Sequence, residues 1–132
     1  MRFNYREYGD VMRPVIPVII SYHGSYFQYS VLIDSGADRC LFDSEVASAL
    51  GISREGRTTR EAMGVGGKIS TYYMHPVTMT VGGQSYQIEA GFMDNVGGGI
   101  VPYGFVGQKG FFDKFVIIFD SSRNEVELQG YR

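Results

Sequence analysis

Glycine-bearing two-residue turns set the ground plan of this 132-residue chain. His23-Gly24 separates residues 15–22 from residues 25–33, and Gly82-Gly83 separates residues 77–81 from residues 84–92. The flanking runs are rich in Val, Ile, Tyr, Phe and Thr, whose side chains suit a pleated surface. A two-residue turn between such runs folds them back antiparallel. Two more pairs fold back through longer turns: residues 60–65 with 69–74 through Gly66-Gly67-Lys68, and residues 116–120 with 125–128 through residues 121–124. Eighteen glycines, ten tyrosines and nine phenylalanines fit the same all-β expectation. The length sets one domain, over residues 14–132, able to bury roughly two thirds of its unfolded surface. Residues 1–13 show no clear period and read as an N-terminal arm.

Pro14 and Pro17 place the first long strand at an edge or a subunit boundary, because proline donates no ladder hydrogen bond. Asp43-Ser44-Glu45 supplies a cap and a first-turn acid for a short helix. Val46, Ala47 and Leu50 form its apolar face, and Gly51 ends it. Phe111, Phe112 and Phe115 stand at the spacing of a second short helix. Residues 95–104, with four glycines and a proline, read as a loop. Residues 24–28 and 83–87 echo one another, and each half carries an apolar pair before a turn, Leu32-Ile33 and Phe105-Val106. The pattern suggests an internal duplication.

The net charge is −2 and there is no basic run, which gives no footprint for nucleic acid. Cys40 is the only cysteine, so no intramolecular disulfide can form. With His23 and His75 alone beside it, no zinc set is expected, and no cofactor is implied. The apolar run at residues 15–20 is short and interrupted by Pro17, which suits neither a membrane span nor a signal core. The expected compartment is the cytoplasm.

One short motif carries chemistry. Asp34-Ser35-Gly36-Ala37 directly follows Val31-Leu32-Ile33 and is the only Asp-Ser/Thr-Gly in the chain. Read blandly it is a β-turn, since all three residue types favour turns. Three apolar β-formers before it and Ala37 after it give it a strand-end setting. Ser35 has no Gly-x-Ser-x-Gly elbow around it, and neither Ser35 nor Cys40 has a credible histidine partner in sequence.

Leu32-Ile33-Asp34-Ser35-Gly36-Ala37-Asp38, then Met63-Gly64-Val65-Gly66-Gly67, then Phe105-Val106-Gly107 resemble the retropepsin family of dimeric aspartic proteases, including its bacterial members. The resemblance runs from about residue 14 to about residue 120. It implies a retropepsin-like acid-protease β-barrel with one or two short helices, working as a homodimer. The activity implied is that of an aspartic endopeptidase acting on extended peptide or unfolded protein, without a metal. Such chemistry needs two facing carboxylates, and this chain carries one motif, so a second copy must bring the other. Carboxylates this close share one proton. The ionised oxygen takes a proton from the attacking water while the protonated partner donates to the developing oxyanion.

The same resemblance makes Asp34, Ser35 and Gly36 the catalytic loop, with the Ser35 hydroxyl bonding across the two-fold axis. It makes Gly64-Val65-Gly66-Gly67 a flap tip over the substrate; the plain alternative is a hairpin turn. It assigns Ala37 and Asp38 to substrate main chain, and Pro102, Tyr103 and Phe105 to the walls of side-chain pockets. The family's arginine after the apolar-apolar-Gly motif, which pairs with the acid at Asp38, is replaced here by Gln108-Lys109; Arg39 or Lys109 could stand in. Retropepsin-like dimers interlace chain termini, a role open to residues 2–11 or 126–131. Two rival readings stay open: a catalytically inactive dimeric peptide-binding module of the same fold, and a purely structural β domain.

Overall fold

The computed structural model describes residues 1–131. The chain opens with three short strands, β1 (Arg2–Asn4), β2 (Arg6–Tyr8) and β3 (Val11–Arg13). Next come β4 (Val15–Tyr22), β5 (Ser25–Ile33), β6 (Leu41–Asp43) and the helix α1 (Ser44–Ala49). The second half holds β7 (Thr59–Met63), β8 (Ile69–Val81), β9 (Gln84–Met93), β10 (Gly104–Val106), β11 (Phe115–Asp120) and β12 (Glu125–Gly130). The all-β expectation is what the structure shows.

The glycine turns do what their sequences require. His23 and Gly24 take φ of 47° and 83°, the left-handed geometry whose twist matches a hairpin, and Tyr22 pairs with Ser25 across the turn. The main sheet runs β4-β5-β10-β6-β9-β8-β7, and a further pairing of β4 with β8 closes it into a barrel. That pairing spans only Ile19 to Ser21, so Val15 to Val18 keep one open edge, and Pro17 falls there. Inward residues of β4 and β5 (Ile16, Val18, Ile20, Val31, Ile33) meet Phe42, Met79, Ile88, Phe92 and Val106 in one core. Each such side chain contributes roughly 1.5–3 kcal/mol by leaving water.

The two halves exchange strands. β10 lies parallel to β5, with Phe105 beside Leu32, while β6 lies parallel to β9, with Phe42 beside Phe92. Each half thus places its third strand against the other half's hairpin, which matches the echo in the sequence. The helix is capped as expected: Asp43 Oδ2 accepts from the Glu45 N–H at 2.9 Å, and Val46 and Ala47 are buried.

Three local expectations change. Residues 69–74 and 77–81 are one continuous strand, β8, despite Pro76. β7 stops pairing at Tyr73 and β4 starts at Thr78, so on that side of β8 no partner faces Pro76. The second helix expected around Phe111 to Phe115 is a series of turns. There Phe112 and Asp113 donate five residues back, to Gly107 and Gln108, and Lys114 donates three back, to Phe111. Gly110, at φ of 103°, stands outside the helical region, so an α-helical ladder cannot pass through it. Phe111 and Phe115 still reach the core, their rings 5.0 Å apart. Residues 1–13 contain regular structure: β1 joins β12 and β11 in a three-stranded sheet, and β2 and β3 form a separate hairpin. Among the described residues no helix is long and apolar enough to cross a membrane.

Candidate active site

β5 ends at Ile33, and the next residue turns out of the barrel. The Asp34 N–H donates to the Val106 carbonyl at 3.0 Å, which clamps the turn between β5 and β10. The Ala37 N–H closes the turn on the Asp34 carbonyl, and the Gly36 N–H donates to Asp34 Oδ1 at 2.9 Å. A half-buried carboxylate therefore stands on a rigid turn with one oxygen oriented by main chain. The other side of this loop is held by the segment after β10. Gln108 N–H donates to the Ala37 carbonyl, Lys109 N–H to the Asp38 carbonyl, and Gln108 Nε2 to the Ser35 carbonyl at 2.8 Å. Such close approach needs Gly107: a Cβ there would lie 2.3 Å from the Ala37 carbonyl oxygen.

Asp34 borders a cleft of about 480 Å³ between this loop and the β7–β8 hairpin. Gly36, Ala37, Asp38, Gly64 and Phe105 line it as well, so the structure brings these expected residues together. Ser35 is exposed and contributes a carbonyl to the loop's hydrogen bonding. Val65, Gly66 and Gly67 lie beyond the lining, at the exposed hairpin tip, which closes through Gly64 N–H to Lys68 and Gly67 N–H to Gly64. Pro102 and Tyr103 border a neighbouring depression of about 260 Å³; Val96 lies on both. Neither Arg39 nor Lys109 pairs with Asp38, which is in none of the ion pairs among the described residues.

Several lining residues were missed in sequence: Leu41, Glu61, Ala62, Ser70, Tyr72, Met93 and Val96. Strand alternation held part of the signal. Ala62 faces Ser70 across the hairpin, and Tyr72 lies two residues further along the same face. Met93 and Val96 could not be found this way, because they enter through the β6–β9 pairing and the loop after it.

Two nearby groups bear on the chemistry. Cys40 sits behind the loop, and burial pushes its thiol up to about 12, so it stays neutral and is no nucleophile. Asp94, at the end of β9, is held at about 2 by hydrogen bonds from Arg54 and Ser44. That cluster ties residues 53–58, the approach to β7, to the barrel. A larger groove of about 590 Å³ lies by β4 and β5, lined by Arg6, Ile19 and Gln28 among others, but it contains no carboxylate. The acid-bearing cleft is the candidate site.

The family model for aspartyl proteases matches residues 18–109, which span the Asp34 loop, the β7–β8 hairpin and β10. The chain belongs to the aspartyl protease family. This aspartyl protease chain is also similar in structure to the EIAV protease solved with the inhibitor HBY-793. The match has a TM-score of 0.55 and 23% identity over 77% of this chain and 88% of that one. It shows the retropepsin fold. No curated protein matches the sequence.

Proposed function

We propose that this aspartyl protease chain is an endopeptidase that hydrolyses peptide bonds by water activated between two Asp34 carboxylates of a homodimer. The observation that carries the reading is the Asp34 carboxylate itself, oriented by the Gly36 N–H at the edge of a cleft large enough for peptide side chains. Two such groups brought together share one proton, one acting as base toward water and the other as acid toward the carbonyl oxygen. The tip Gly64-Val65-Gly66-Gly67 acts as a flap: Met63, Val65 and Ile69 leave large apolar surface in water, which closure over a peptide would cover. A cytoplasmic location belongs to this reading.

The sheet of β1, β12 and β11 supports a particular dimer seam. Both terminal strands pair with each other inside one chain, leaving β11 an open edge. Val116, Ile118 and Phe119 on β11 are each more than two-fifths exposed, a long apolar edge of the kind that pairs with another strand. A second copy of β11 fits it. One observation speaks for an inactive peptide-binding dimer instead: Gln108 bonds the Ser35 carbonyl, and Asp38 is in no ion pair among the described residues.

The test is incubation with a denatured protein from acidic to neutral pH. Cleavage lost in Asp34→Asn and kept in Ser121→Ala is the expected result. A wild type that binds peptide without ever cutting it gives the binding module instead.

A further inference from the structure

The β2–β3 hairpin is not part of the barrel sheet, yet two of its residues converge on one buried side chain. Arg13, half-buried at the end of β3, donates from its guanidinium to the Tyr103 hydroxyl. Tyr8, at the end of β2, sets its ring edge-on to Tyr103 with centroids 5.0 Å apart. Tyr103 is 2% exposed and in turn meets Phe105 edge-on at 5.8 Å, and Phe105 lines the cleft beside Asp34. A continuous path of contacts thus leads from the N-terminal hairpin to the wall of the cleft.

The segment it reaches needs such support. Residues 95–104 contain four glycines, and their internal backbone bonds (Gly98 N–H to Asn95, Ile100 and Val101 N–H to Gly97) end at Val101, short of Tyr103. At the near end, the Val96 N–H donates to Asp43 Oδ1 at 3.1 Å. At the far end Tyr103 is held by Arg13 and Tyr8. Hairpin and loop are distant in sequence, and Arg6, which donates to Ser30 Oγ at 2.7 Å, fixes the hairpin against β5.

We infer that the β2–β3 hairpin is a brace for the specificity wall, with Arg13 and Tyr8 as positioning residues that act through Tyr103 on Phe105. The inference rests on the peptidase reading for its effect on substrate choice. Loosening the brace lets Phe105 and the glycine-rich loop retreat, so side chains that depend on a firm wall, large aromatic ones, lose most.

The test compares wild type with Arg13→Met, Arg13→Lys and Tyr103→Phe. Tyr103→Phe keeps the ring and removes the acceptor, so it reports on the hydrogen bond even if Arg13→Met folds poorly. One readout is hydrogen exchange of residues 96–104, which needs no substrate; the other is kcat and KM on two peptides differing only in Phe or Ala beside the cleaved bond. In Arg13→Met the loop amides are expected to exchange roughly tenfold faster. KM for the Phe peptide should rise roughly tenfold while kcat and the Ala peptide change little, with Arg13→Lys recovering most of the loss. Unchanged exchange in both Arg13→Met and Tyr103→Phe overturns the brace. So does faster exchange with an unchanged Phe-to-Ala selectivity, or an Arg13→Lys variant as impaired as Arg13→Met. If wild type neither cleaves nor binds peptide, the peptidase reading fails instead, and exchange of residues 96–104 alone decides whether the hairpin braces the loop.

Discussion

At the scale of single residues, the site depends on one glycine that is not itself chemical. Gly107 lies against the Asp34 loop so closely that a Cβ would stand 2.7 Å from the Arg39 carbonyl oxygen as well as meeting Ala37. Both obstacles are backbone, which cannot rotate away as a flexible side chain could. Gly107→Ala is therefore expected to cost roughly 1–3 kcal/mol in urea unfolding and to reduce turnover further by shifting Asp34. A variant with wild-type stability and turnover would remove Gly107 from this role. Cys40 gives a second test. With its thiol raised to about 12 behind Lys109, it should resist iodoacetamide at neutral pH until the protein unfolds. Rapid labelling of the native protein would mean the loop opens more readily than its hydrogen bonds suggest.

At the scale of elements, the β7–β8 hairpin is held at its base more than at its tip. Arg54 donates to both Asp94 oxygens, at 3.2 and 2.6 Å, Ser44 adds a third bond, and the guanidinium lies 5.6 Å from the Tyr73 ring centroid. Helix, loop and β9 thus meet at the hinge of the proposed flap. Asp94→Asn is expected to raise hydrogen exchange over residues 53–63 while leaving the barrel protected. Because the Asp94 carboxyl is lowered from 3.8 to about 2 in the fold, its stabilising effect is present above the ordinary value. It is lost as the pH falls from 3.8 through about 2, so the mutant and wild type should converge there. Equal exchange of the two proteins at neutral pH would assign the hinge elsewhere.

At the scale of the whole molecule, the barrel is complete within one chain, whereas the proposed chemistry is not. Specific activity should fall on dilution as dimers part. A charge on the β11 edge should have the same effect at any concentration. Ile118→Lys is expected to shift sedimentation to the monomer and abolish cleavage with little change in the monomer's fold, since Ile118 is 44% exposed. A dimeric, active Ile118→Lys protein would move the seam away from β11.

Some of this was determined by sequence alone. The hairpin around His23-Gly24, the capped helix after Asp43 and the acid turn at Asp34 depend on interactions between near neighbours, and near neighbours are what a sequence displays. Strand alternation made Ala62 and Tyr72 legible in principle as cleft residues. The tertiary structure decided the rest. β6 is three residues long and exists because β9 and β10 flank it. The strands of residues 1–13 form against β12 and each other, and Arg13 and Tyr8 reach the buried Tyr103 from the far end of the chain. Contacts between residues some ninety positions apart follow from how the chain closes on itself, and no local pattern encodes that closure.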